Sequence, residues 1–454
     1  MRQLTGSAAL VVLGTLSAAV YASAIPAAAW LGVEPLAWHL PAFGLLFGLY
    51  LAALWLVLRR MPSTPGAVAV VLGFALLFRL IMLLTPIYLS SDLYRYLWDG
   101  QVQWAGVNPY RYAPAAVELA PLRDVDLHPQ INRPTAVTAY PPGAQWLFAL
   151  AARAAPRSIL GWRLLLLAVE LGTIVILLRL LRGLGAPGTA ALAYAWSPLV
   201  VFEGVQAGHV DLAVIPLVLL ALTSRLSGSS LRAGVALGVA VLLKIYPVIL
   251  VAAWWRRRDW RFPAAVGATV ALGYLPYVAT LGPGALGFLP AYFLDRGEDF
   301  NVGLRALATW GLGLSGEVPR RAAIVLLLGI TGLVIARIGR GHRNGTLGAW
   351  RAAGLVISAW LVLGPFSVHP WYVLWAIPFL CVNPSPAWLF FSGAVSLSYV
   401  EYLTRPGMGL PWWAWLGQYG PFYALLIWEW HTGRSALAPA TPAGSWAAGS
   451  SHAG

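Results

Sequence analysis

Charge is what this sequence has least of. Only 10% of its 454 residues are Asp, Glu, Lys or Arg, against about 25% in a soluble domain, so a soluble fold of ordinary surface chemistry is excluded. A single cysteine, Cys381, excludes an internal disulfide and any multi-cysteine metal site. Lysine is nearly absent as well: Lys244 stands alone beside 29 Arg. The formal charge is +14, but the Arg residues flank apolar runs instead of forming one patch. They read as orientation anchors, not as a nucleic-acid surface. No His pair has zinc spacing, and no nucleophile elbow, P-loop or fixed-period repeat occurs.

Hydrophobic residues make up 59% of the chain, in recurrent apolar runs. About 20 such residues cross a hydrocarbon core about 30 Å thick. The runs do not alternate, and each backbone polar group in a bilayer needs an internal partner, so the expectation is an all-α polytopic membrane protein. The runs are Thr5–Ile25, His39–Leu58, Gly66–Pro86, Gly161–Leu181, Thr189–Phe202, Asp211–Leu222, Arg232–Leu243, Pro247–Trp255, Pro263–Leu281, Ala322–Ile338, Leu347–Leu363, Trp371–Leu380, Trp388–Tyr402 and Trp413–Trp430. They give about fourteen transmembrane helices. The first also reads as a signal peptide, through Arg2 and Ala22-Ser23-Ala24; the hydrophobic runs that follow at once favour an uncleaved helix. Arg232–Leu243 and Pro247–Trp255 make either one long helix or a hairpin, and Pro247 beside Lys244 favours the break.

Arg59-Arg60 and Arg256-Arg257-Arg258 are expected in the cytoplasm. The unusual polar residues then gather on the opposite side, which marks function. The third helix delivers Asp92 to an external loop, 88–158, which carries short interfacial helices, among them Gly143–Ala155 after Tyr140-Pro141-Pro142. If Asp92–Gln103 is helical, Asp92 and Asp99 share a face. One carboxylate could serve as general base and the other orient an acceptor or a cation; alternatively both pair with Arg95 or Arg111 as structural salt bridges. Asp124-Val125-Asp126 could bind a metal–phosphate, but so short a pattern is common by chance and stays unassigned. Lys244 suits a phosphate as a point charge or snorkels. His209 and Asp211 occupy a tight external turn and could bind a sugar or each other, and Asp211 also suits a helix cap. His369, between two runs, could be structural or ligating.

These segments carry a resemblance. Ser91-Asp92-Leu93-Tyr94-Arg95-Tyr96-Leu97-Trp98-Asp99-Gly100, then Ala105-Gly106-Val107-Asn108-Pro109-Tyr110 and Tyr140-Pro141-Pro142, resemble the first external loop of the C-type (GT-C) glycosyltransferases, and among them the bacterial polyprenyl-phosphate-mannose-dependent mannosyltransferases. Lys244-Ile245-Tyr246-Pro247 and His369-Pro370-Trp371-Tyr372 resemble later motifs of the group. The likeness runs from about residue 66 to 404, with the first two helices outside it. It implies a GT-C-like core over 61–404 with external loops 88–158 and 282–318, after two N-terminal helices in 1–60. A last helix in 405–434 and a disordered tail in 435–454 follow.

The resemblance implies transfer of a hexose, as mannose, from a polyprenyl phosphate to a lipid or glycan hydroxyl outside the cytoplasm of a bacterial cell. Asp92 would be the base, and His369 and Lys244 would lie at the donor phosphate, with Arg296 as a further cation. Tyr94, Arg95, Asp99, Tyr140, His209 and Asp211 are further candidate substrate contacts. No cofactor, metal or nucleic acid is expected; membrane lipids are. One candidate base and no covalent nucleophile imply inversion at the anomeric carbon. A lipid-linked sugar flippase is the rival, which would predict inverted repeats that the sequence lacks.

Overall fold

The structure, a computed structural model, describes residues 2–31, 35–292, 299–311, 313, 316–343, 348–404 and 409–433. Their regular structure is helical, with one isolated bridge, Val302–Ser367. The long helices are α1 (Arg2–Leu31), α2 (Pro35–Arg59), α3 (Pro65–Leu83), α4 (Asp92–Trp104), α5 (Pro142–Ala154), α6 (Ile159–Gly183), α7 (Asp211–Leu226), α8 (Ser230–Leu243), α9 (Arg261–Leu281), α10 (Glu317–Arg343), α11 (Ala349–Leu363) and α12 (Trp412–Thr432). Sequence sets several starts. Thr64 caps α3, accepting from Ala67 N at 3.2 Å with Pro65 next in the chain, and Ser158 caps α6, accepting from Gly161 N at 2.9 Å.

Six of these stretches are long and apolar enough to cross a membrane: in α1, α2, α3, α6, α10 and the Arg261–Tyr292 segment that α9 begins. A seventh results if Pro198–Gln206 and α7, bent by 117°, form one span. Their outward residues are bare hydrocarbon; on α10, Val325, Leu326 and Leu333 are each more than 60% exposed. Water does not tolerate such a surface, and a bilayer does. The all-helical class expected from sequence is therefore present, but among the described residues only half of the fourteen expected runs form a single helix of 19 residues or more. The rest are shorter or broken. The run 189–202 splits at Pro198 into several short pieces, and 371–380 becomes a short helix, Pro370–Val373, and a 3-10 turn, Ile377–Cys381. Proline removes a donor and clashes with the preceding turn. The apolar count registers a run; it does not register where the run bends. The break before Pro247 is where it was expected: α8 ends at Lys244, whose backbone is extended.

Two helices that both pack against α7, α8 and α6, fix the packing. α8 lies so close to α9 that a Cβ on Gly234 would meet Ala265 Cβ at 2.5 Å, the small-residue contact common between membrane helices. α6 in turn is tied to α3 by a fully buried pair, Arg79 and Glu170, with Arg79 Nε donating to Glu170 Oε1 at 2.7 Å. Arg163 of α6 then gathers loose carbonyls. Its Nη1 donates to Thr85 O at 2.8 Å and its Nε to Val205 O at 2.6 Å. Next to it, Trp162 Nε1 donates to Gly208 O at 2.7 Å. One turn of α6 thus holds both the end of α3, from which Asp92 follows, and the turn that carries His209.

Candidate active site

The external-loop helix expected over 92–103 is α4, and Asp92 is its first residue, where the helix dipole favours an anion. Asn132 Nδ2 donates to Asp92 Oδ1 at 2.5 Å, and Tyr140 OH lies 3.4 Å from Oδ2. Burial pushes the Tyr140 phenol well above its usual range, and the Asp92 charge adds to that, so Tyr140 is a neutral donor. The Asp92 side chain keeps 18% of its surface, and it opens into a cavity of about 700 Å³.

That cavity is where the distant motifs meet. Its wall includes Asp92, Tyr94, Arg95 and Tyr140 from the first loop, Lys244 and Tyr246 from the break after α8, and His369, Trp371 and Tyr372 from the segment after α11. Lys244 Nζ sits 5.3 Å from the Tyr140 ring and 5.5 Å from the Tyr372 ring, a placement that favours a cation. Behind it, Asp211 Oδ2 lies 3.2 Å from Nζ, while Asp211 Oδ1 accepts from Trp375 Nε1 at 3.0 Å. Aromatic rings continue the wall: Trp375 stacks on Tyr246 and on Tyr372, and Trp371 stacks on His369 with centroids 4.4 Å apart.

Other expected residues lie elsewhere. Asp99 shares the Asp92 face, but seven residues along a helix is about 10 Å of rise. It is buried away from the cavity wall, where Arg95 Nε donates to its Oδ1 at 2.8 Å and Gln145 Nε2 to its Oδ2 at 3.0 Å. This is the salt-bridge alternative. His209 and Asp211 are fully buried and stand behind the wall rather than in it. Asp124 Oδ1 caps a turn, accepting from the Asp126 backbone at 3.0 Å, and no cluster of three metal-ligating side chains occurs among the described residues. Arg296 lies outside the described residues, as does the tail.

Several wall or near-wall residues carried no sequence motif. Asn132 and Arg133 come from an irregular stretch, and Arg133 has φ +49°, a conformation uncommon outside glycine. Asp299, on the wall, is held by Arg305 Nη1 at 2.8 Å and Arg320 Nε at 2.6 Å. Burial opposes its ionised form, but the hydrogen bonds and charge of the two guanidiniums prevail and hold its carboxyl below the usual range. Glu203 is the one that could have been found: an acid inside an apolar run is itself a signal.

The family model for "Alpha-(1->6)-mannopyranosyltransferase, N-terminal domain" matches residues 3–256, more than half of the chain. The chain belongs to that mannosyltransferase family. The match takes in α1 and α2, which the sequence resemblance had left outside, and it covers the elements that carry Asp92, Tyr140, His209 and Lys244. It agrees with the GT-C resemblance read from the motifs, and it makes a glycosyltransferase the class of this membrane protein rather than a flippase. Neither the curated proteins nor the solved structures give a match.

Proposed function

We propose that this mannosyltransferase takes its sugar from a polyprenyl-phosphate mannose and passes it to a hydroxyl of a lipid or glycan acceptor on the extracytoplasmic side of a bacterial plasma membrane. The observation that carries this reading is the convergence of Asp92, Lys244 and His369, far apart in the chain, on one aromatic-walled cavity. Asp92 Oδ2 removes the acceptor proton as the oxygen attacks the anomeric carbon. The departing phosphate needs fixed positive charge more than a proton, and Lys244, His369 and Arg133 lie on the same wall to supply it. The broken helices beside the long ones bring the proposed membrane crossings to about fourteen, with the Arg-rich turns inside and the cavity outside.

Attack without a covalent intermediate inverts the anomeric carbon. Combined with the α-(1→6) linkage of the family's description, inversion requires a β-linked donor and the primary 6-hydroxyl of the acceptor. The test is transfer of label from radiolabelled β-mannosyl polyprenyl phosphate into a crude acceptor lipid extract by detergent-purified protein. Transfer by wild type and none by Asp92→Asn is expected. Equal transfer by both would remove Asp92 as base, and transfer from the α-linked donor alone would remove inversion.

A further inference from the structure

Behind Asp92, away from the cavity, stands a second carboxylate with a histidine between them. His209 Nδ1 lies 3.8 Å from Asp92 Oδ2, and His209 Nε2 lies 3.4 Å from Glu203 Oε2. The imidazole is fully buried and stacks on Trp371 with centroids 4.0 Å apart. Glu203 Oε1 is already occupied, accepting from Tyr399 OH at 2.8 Å. Both His209 nitrogens and Glu203 Oε2 are buried atoms that complete no hydrogen bond, although Nε2 and Oε2 lie close together. Polar atoms in that state are rare and call for an explanation.

The chain builds this arrangement deliberately. Glu203 lies in a π-helical turn, Val201–Gln206, and such turns favour functional sites. The turn is closed by His209 N donating to Glu203 O at 3.2 Å, so the backbone ties the two residues together. Gly208 makes the reversal at φ +77°, and a Cβ there would meet Leu93 at 2.7 Å and Trp162 at 3.2 Å. Leu93 adjoins Asp92. The close approach that demands glycine is therefore also the one that brings His209 to Asp92.

We propose that His209 and Glu203 are positioning residues that form a proton relay behind Asp92; the proposal rests on Asp92 being the base. The acceptor oxygen bonds to the anomeric carbon, and the bond from that carbon to the phosphate oxygen breaks, its electron pair leaving on the phosphate. The acceptor proton passes to Asp92 and on to His209 Nδ1. Glu203 accepts a hydrogen bond from Nε2–H of the neutral imidazole, which fixes the tautomer whose Nδ1 is free to take the proton, and its charge then steadies the imidazolium. When product leaves, the proton returns through Asp92 to the departing phosphate dianion. Asp92 is an anion again as soon as the proton has moved on to His209, and the charges balance throughout.

The experiment compares kcat and KM of wild type, Asp92→Asn, His209→Phe, His209→Gln, Glu203→Gln and the double variant His209→Phe/Glu203→Gln with β-mannosyl polyprenyl phosphate. His209→Phe keeps a ring against Trp371. Its kcat is expected to fall about 10- to 100-fold at unchanged KM, less than the loss in Asp92→Asn. Glu203→Gln falls less, and the double variant is no worse than His209→Phe, because the two act in series. Wild-type kcat in His209→Phe with a dead Asp92→Asn overturns the relay and leaves the base standing. An active Asp92→Asn overturns both. A readout free of turnover is nitrogen-15 NMR of the histidines. The signal missing in His209→Gln should report Nε2–H and should shift in both Asp92→Asn and Glu203→Gln; a signal indifferent to both overturns the relay even where a variant loses activity by misfolding.

Discussion

Asn132 holds one oxygen of Asp92 more closely than any described residue approaches the other. Its amide donates to Oδ1 at 2.5 Å, while among the described residues Oδ2 is approached by Tyr140 OH at 3.4 Å and His209 Nδ1 at 3.8 Å. A carboxylate so fastened has one reactive oxygen and little freedom to rotate. A hydrogen bond to a charged group is worth about 1.5–3 kcal/mol, so Asn132→Ala should lower kcat by about 10- to 100-fold. Initial rates at saturating donor check this. Asn132→Asp, which sets a like charge against Asp92, should lose more; a variant as fast as wild type would mean that Asp92 needs no such anchor.

Lys244 and Asp211 give a prediction about stability. Asp211 has no exposed surface, and Lys244 keeps 16% of its side chain exposed. Removing one partner of a buried pair strands the other, at about 3–5 kcal/mol. Lys244→Met should therefore lower the melting midpoint in detergent clearly, and Lys244→Met/Asp211→Leu should recover part of it. Asp211 also holds Trp375 Nε1, so recovery stays incomplete. If the single variant melted like wild type, the pair would be too wet to matter.

Acid should loosen the wall at Asp299. Its carboxyl is held below the usual aspartate value by Arg305 and Arg320 against the cost of burial. A group with a depressed folded pKa stabilises the protein above its unfolded value, about 3.9. That contribution is lost as pH falls through the lower folded value. Melting midpoints of wild type and Asp299→Asn between pH 3 and 7 should differ most at neutral pH and converge at the acid end. A constant difference would place the coupling elsewhere.

Much of this site was legible in the sequence because its markers are rare residues in an apolar chain. A lone Lys244, an Asp92 directly after a hydrophobic run and a His369 between two runs stand out for the same reason that they are costly there. The α4 helix and the break at Lys244 were legible too, from residue spacing and from Pro247. What was hidden depends on distance through space. The Arg95 partner of Asp99, four residues before it on the same helix, was open to local reading, but nothing local told that Gln145 would take its other oxygen or that Asn132 would reach Asp92 from an irregular loop. Helix continuity was hidden for another reason: hydropathy sums over a window, whereas Pro198, Pro370 and Pro378 act at single positions.

The buried pair between α3 and α6 should behave differently under one change and under two. Arg79 and Glu170 have no exposed surface, and Arg79 Nη1 also donates to Ala75 O and Ala195 O, each at 2.8 Å. Glu170→Gln would leave a guanidinium with two carbonyls and no counter-charge, a loss of about 3–5 kcal/mol. Arg79→Met/Glu170→Leu removes both charges and fills similar volume. It should regain most of that loss, less what Ala195 O forfeits with its donor. Thermal melting in detergent, read beside the mannosyl transfer rate, separates the two roles. A stable double variant with normal transfer makes the pair a packing device; a stable double variant with slow transfer would mean that it also sets where α3 delivers Asp92.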